Sequence, residues 1–286
     1  MDLTLSSHLL VYRPMEEAAL AQMASSGFSK IEVWLAEPHV PWRSERGLEK
    51  FRAQLAAHGL RAGSVHLPFY PSVHELFNEG KKWSLLAPAN LDRKTALEGA
   101  AEGIRAASFL GADCAVLHLG WPGDAWSTKH HAWARDAVAE LLPVARACQV
   151  QLLLENIISK GTRTSSLAKL LDEVDPAGEA GICLDLGHAH VEGNVLEELQ
   201  YAIPRLAHLH VHDNDGTCDS HFAPGQGTIP WLDVLRALDE GGFQGQAALE
   251  LRDFSKGSDC ATDVLNLELG HVHDFRARCA SEGINL

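Results

Sequence analysis

Residues 206–221 read LAHLHVHDNDGTCDSH. In an extended chain His208, His210 and His212 fall on one face, and Leu209 and Val211 fall on the other. Such a strand packs its apolar side against helices and turns its imidazoles toward an enclosed interior. His208 lies deepest of the three and is expected to be structural, while spacing does not choose between His210 and His212. The loop beyond adds Asp213, Asp215, Asp219 and His221. Four of the chain's 16 histidines therefore lie between 208 and 221, far more metal-capable groups than a soluble core needs.

Outward from this stretch, one unit recurs: a short apolar run, a polar turn, then an amphipathic helical pattern. The strand-like runs are LTLSSHLL (3–10), KIEVWL (30–35), RAGSVHLP (61–68), CAVLHLG (114–120), VQLLLEN (150–156), GICLDLG (181–187), LAHLHVHD (206–213) and QAALEL (246–251). Helical patterns such as MEEAALAQMASSG, LEKFRAQLAAHG, TALEGAAEGIRAASFLG and WLDVLRALDEGG alternate with them. Several end in a glycine placed to cap a helix, at Gly27, Gly59, Gly111 and Gly242. Eight such units predict a single (β/α)8 barrel over residues 1–286. A doubly wound sheet would have fewer strands and would often carry a Gly-rich phosphate loop, and no G-x-G-x-x-G follows a strand here.

A barrel of this kind builds its active site at the C-terminal ends of its strands. Those ends carry His66, His118, Glu155, Asp185 with His188 one turn on, His210, Asp219 and His221 in the next loop, and Glu250. A single strand histidine is ordinarily a hydrogen-bonded core group. Glu155 behind three leucines, Asp185 in ICLDLG and Glu250 in AALEL are harder to assign that way, because a buried carboxylate needs a partner. Several carboxylates on one rim would repel each other without a cation. The set therefore predicts a divalent metal, with ligands enough for more than one ion. Oxygen and imidazole ligands without cysteine suit Zn²⁺, Mn²⁺, Mg²⁺ or Co²⁺ alike.

Composition narrows the class. A net charge of −14 argues against a broad basic face for nucleic acid or anionic lipid. No apolar stretch is long enough to span a bilayer, and the N-terminus lacks the pattern of a signal peptide. Six scattered cysteines without a C-x-x-C pair read as small hydrophobes of a reduced compartment. A cytoplasmic location is expected, with homo-oligomerisation left open.

The motifs LLLEN, CLDLGHA, HVHDND with DSHFAPGQGTIPW, and ALEL together resemble the xylose isomerase-like barrels. This is the sugar phosphate isomerase/epimerase group that also contains AP endonuclease family 2, and the likeness runs from the third strand to the eighth. The resemblance implies a core metal held at Glu155, Asp185, His210 and Glu250, which favours His210 over His212. The endonuclease IV branch implies further ligands, matching His66, His118, His188, Asp219 and His221, and D-x-H-x-x-x-G-x-G from Asp219 to Gly227 is especially close to it. The loops after the first three strands nevertheless lack the basic, wedge-bearing character that bending duplex DNA requires.

The expected activity is a metal-dependent isomerisation or epimerisation of a small sugar-like hydroxy-carbonyl compound. Glu155 and Glu250 would exchange the proton and His188 would orient a substrate oxygen. Trp34, Trp42, Phe69, Trp121 and Trp126 could wall a sugar, and Lys160 with Arg163 could bind a phosphate. Gly225 and Gly227 would serve the turn, with Trp231 anchoring the helix behind it. The long loop 69–92 could close as a lid. A phosphodiesterase of the endonuclease IV type and a catalytically silent metal- or sugar-binding barrel are the alternatives.

Overall fold

A computed structural model describes residues 1–284. Its strands are β1 (Asp2–Ser6), β2 (Lys30–Trp34), β3 (Arg61–His66), β4 (Cys114–Leu117), β5 (Gln151–Glu155), β6 (Gly181–Asp185), β7 (Leu206–Val211) and β8 (Gln246–Leu249). They close in chain order, every neighbouring pair parallel, with β8 returning to β1. The expected (β/α)8 barrel is thus the architecture found.

The alternation in β7 has the expected consequence. Leu209 and Val211 join the apolar layer between barrel and helices, while His208 and His210 are fully buried on the inside. The layer is closed from the other side by helices whose apolar residues recur every three or four positions. In the helix Trp231–Glu240 these are Trp231, Val234, Leu235 and Leu238. Truncating Leu238 to alanine is worth about 2–5 kcal/mol on the usual scale for a buried leucine. Gly111 ends the helix Asn90–Leu110 with φ of +74°, and the next amide reaches back to the Ala107 carbonyl. A side chain there would cost the left-handed turn that feeds β4.

One local expectation needs correction. The first strand-like run does not extend over 3–10. It stops at Ser6, whose hydroxyl accepts from the His8 amide and starts a 3-10 helix over Ser7–Leu10. The loop 69–92 contains the helix Val73–Glu79, capped by Ser72 and closed by Gly80. No helix of the described residues is long and apolar enough to cross a membrane.

Candidate metal centre

The strand ends deliver their polar residues to one buried patch. Glu155, Asp185, His210 and Glu250, from β5, β6, β7 and the residue after β8, place one ligand atom each within 4.8 Å of the others. His66 and His118 meet Glu155 from one side in the same manner, and His212, Asp219 and His221 form a third group on the other. His188 joins this last group, its Nε2 lying 3.4 Å from Asp219. The structure therefore brings together all nine positions expected from the strand ends, with Glu155 shared between two of the groups.

The imidazoles are held in defined orientations. Nδ1 of His66 lies 3.0 Å from the Leu67 carbonyl, that of His188 lies 2.8 Å from the Asn156 carbonyl, and that of His221 lies 2.8 Å from the Glu250 carbonyl. A carbonyl only accepts, so each Nδ1 carries a proton, and each Nε2 is turned to a carboxylate, that of His66 to Glu155 at 3.2 Å and those of His188 and His221 to Asp219 at 3.4 and 3.0 Å. His210 is turned the other way. Its Nε2 sits 3.2 Å from Glu32, and its Nδ1 faces Glu250 at 2.8 Å and Glu155 at 3.1 Å. Glu32 is itself fully buried, and accepts from Ser64 while facing His208 at 3.1 Å.

The charges of these groups depend tightly on one another. Burial pushes the Glu155 carboxyl up, but the imidazoles of His118 and His210 outweigh it and hold the group well below the usual carboxylate range. Glu250 is raised by burial and brought down to about 2, chiefly by His210. Burial lowers His188, yet Asp185 and Asp219 carry it well above the ordinary imidazole value. His221 follows the same pattern and reaches about 9, Asp219 overriding burial.

Several of the closest contacts are not hydrogen bonds. His118 Nε2 lies 2.9 Å from Glu155, and Glu250 Oε2 lies 2.8 Å from His210, yet both atoms are buried without a hydrogen-bond partner. Acceptor atoms that converge at this range without an aligned proton fit a shared cation better than a proton-linked network. The donor set, carboxylates with imidazoles and no thiolate in the central group, suits a divalent ion.

The loop 213–231 shows what the remaining residues of the opening stretch do. Asp213 accepts from the amides of Asn214, Gly225 and Ile229 and from the Trp231 indole at 2.8 Å, so it folds the loop rather than the site. Asp215 binds Thr217 within its own turn. His221 stands at φ of +51°, a conformation costing a non-glycine residue about 1–2 kcal/mol. His212 stacks on it with centroids 4.0 Å apart and lies 3.0 Å from Asp185. Its ring occupies the place a side chain at position 187 would take, a Cβ on Gly187 falling 1.9 Å from it.

Above the patch opens a cavity of about 390 Å³. His118, His188, Asp219, His221 and Glu250 line its floor, and Trp34, Phe69 and Trp121 form an aromatic side. Trp34 stacks on His66 at 3.7 Å and donates its indole proton to Tyr70. Trp42 and Trp126 belong instead to the packing under the loops. Lys160 is exposed on a short 3-10 helix and is not among the cavity-lining residues, and Arg163 is spent on Glu192 at 2.8 Å. The suggested phosphate role of that loop therefore has no geometric support.

The xylose isomerase-like TIM barrel model matches residues 20–273. The chain belongs to that family. Fructoselysine 3-epimerase of Shigella flexneri is 22% identical over 246 residues, covering 82% of this chain and 84% of its own. The crystal structure of a D-tagatose 3-epimerase-like protein superposes with a TM-score of 0.74 at 22% identity, over 96% of this chain and 99% of its own. The TTHB071 protein of Thermus thermophilus, soaked with ZnCl2, superposes with a TM-score of 0.66 at 25% identity and the same coverage. The relationship to sugar epimerases is thus one of family and fold at low identity.

Sequence reading missed three contributors. Glu32 lies mid-strand rather than at a strand end, although a carboxylate between Ile31 and Val33 carries the same signal that picked out Glu155. His8 follows β1 in the misassigned segment and approaches Glu250 and His221. Asn156 clamps β6, donating to the Asp185 carbonyl and accepting from its amide.

Proposed function

We propose that this barrel is a divalent-metal-dependent isomerase or epimerase acting on a small sugar-like hydroxy-carbonyl compound. The observation that carries the reading is Glu250. It lines the cavity, is held ionised, and keeps one buried oxygen free of any hydrogen bond while its neighbours fit a cation. Glu155, Asp185, His210 and Glu250 would hold the central ion, and the flanking groups offer ligands for further ions. When bound, the ion would polarise adjacent substrate oxygens and stabilise the negative charge that develops on them.

The chain's own residues supply the rest. Glu250 accepts the proton from the substrate carbon, its carboxylate being the member of the glutamate pair that faces the cavity. Glu155, deeper and not among the cavity-lining residues, returns a proton only to a substrate that descends onto the rim. His188, with Nδ1 fixed on a carbonyl and Nε2 toward the cavity, orients a substrate oxygen. The aromatic side formed by Trp34, Phe69 and Trp121 excludes water and packs on the substrate's C–H faces.

The three adjoining ligand groups also support a second reading, hydrolysis of a phosphodiester. The mouth favours it less. Lys81 is committed to Glu75 and Glu79, Arg43 lies over Trp42 and Trp83, and the net charge opposes a polyanion. The test is to incubate metal-loaded protein with D-fructose, D-tagatose and D-psicose in D2O and follow wash-in at the carbon beside the carbonyl. Deuterium entry that disappears in Glu250→Gln is expected. No exchange into any ketose, together with incision of an abasic duplex, would replace this reading by the second.

A further inference from the structure

Arg252 stands at the cavity mouth two residues beyond Glu250. The chain is still extended there, with Glu250 donating its amide to Val211 and Arg252 to His221. Leu249 and Leu251 are buried away from the cavity, whereas Glu250 and Arg252 both line it. One pleat repeat, about 6.6 Å along the chain, therefore separates the proton-accepting carboxylate from a guanidinium on the same side.

That guanidinium has no acid to neutralise it. Among the described residues no carboxylate lies within ion-pairing distance, and the ring nearest it is Phe254 at 5.9 Å. The neighbouring Asp253 is not available. It pairs with Arg13 and accepts from Ser255 and from the Gly257 amide. Arg61, Arg146, Arg163 and Arg205 by contrast each pair with a carboxylate. In a chain of net charge −14, an unpaired arginine at the cavity mouth is a local reversal of field, and an anion entering the mouth needs one.

We infer that Arg252 is an anion anchor and that the substrate is a hydroxy-carbonyl compound with an anionic substituent, a carboxylate or a phosphate ester, a few bonds from its reacting carbon. The inference rests on the isomerase reading and sharpens its substrate class. The planar guanidinium matches either oxyanion with two parallel hydrogen bonds. One permanent charge balances a carboxylate fully, whereas a phosphate ester carries about twice that charge. A keto sugar acid is the expected source.

The experiment compares D-fructose, D-fructuronate and D-fructose 6-phosphate as ligands of the Mn²⁺-loaded protein by calorimetry, with deuterium wash-in as a second readout. Wild type, Arg252→Lys and Arg252→Gln are measured side by side. The expected result is preferential binding of fructuronate, with its affinity falling roughly 10- to 100-fold in Arg252→Gln and less in Arg252→Lys. Preference for the 6-phosphate, lost in the same variant, supports the anchor and identifies its anion as phosphate. Equal affinity for all three ligands, unchanged by either substitution, overturns the anchor and leaves the isomerase reading standing. Absence of both binding and exchange with every ligand overturns the two together.

Discussion

Two layers of polar residues lie one above the other in this barrel, and they differ in their access to the cavity. The lower layer, Glu32, Ser64 and His208, is sealed below the cavity; one Glu32 oxygen takes the Ser64 hydroxyl and faces two imidazoles, while the other oxygen and His208 Nδ1 are buried without a hydrogen-bond partner. The upper layer, with Glu250, His188, Asp219 and His221, opens on the cavity and includes atoms without a proton-linked partner. A polar group sealed below the cavity holds its neighbours in place, and one that faces the cavity is available for chemistry. His210 belongs to both, one nitrogen on each side of the divide.

The contrast can be broken most sharply at its upper side. Glu155→Gln should remove the carboxylate shared by two ligand groups and reduce bound metal by more than about tenfold, with loss of turnover. Metal analysis after dialysis against a fixed free-ion concentration checks it. In the lower layer, Glu32→Gln keeps the shape but withdraws the charge that holds His210 Nε2. It should weaken metal affinity about 10- to 100-fold without emptying the cavity of its lining. Chelator competition reads the constant, and an unchanged value would make Glu32 merely a core group.

A buried histidine outside both layers gives a control on acid stability. His39, 1% exposed, places Nδ1 2.8 Å from the Arg13 carbonyl, and burial lowers it to about 4. The unfolded chain binds that proton near pH 6.5, so stability is lost as pH falls from about 6.5 toward 4, by up to about 3 kcal/mol. Thermal melts across that window should fall in the wild type and fall less steeply in His39→Gln, because burial lowers His8 to about 4 as well and its share of the loss remains. The smallest effect belongs to Lys160→Ala, which should leave turnover within about twofold, and a large loss would restore the phosphate role the geometry does not support.

How much of this was legible in the sequence follows from the same layering. Strand ends could be read because the third to eighth apolar runs stop at or just before a carboxylate or imidazole residue, and the barrel brings those stops to one rim. Glu32 escaped because it sits inside its run, and only the closed barrel places it beneath His210. Alternation put His210 and His212 on one face, and could not rank them. In the structure both approach Asp185, while His210 alone reaches Glu155 and Glu250. The first strand was read too long because SSHLL is apolar enough to continue it, whereas Ser6 caps a turn that carries His8 toward the site. Lys160 looked poised on a loop near the rim, and the direction of that loop is a tertiary property with no local signature.

The central claim, that the upper layer is built around a cation, is tested most directly by anomalous scattering from crystals loaded with Zn²⁺ or Mn²⁺. The expected result is a peak bounded by Glu155, Asp185, Glu250 and Nδ1 of His210, with His210 Nε2 still on Glu32. A peak confined to Cys183 and His208, or none between the two glutamates at saturating metal, would contradict it.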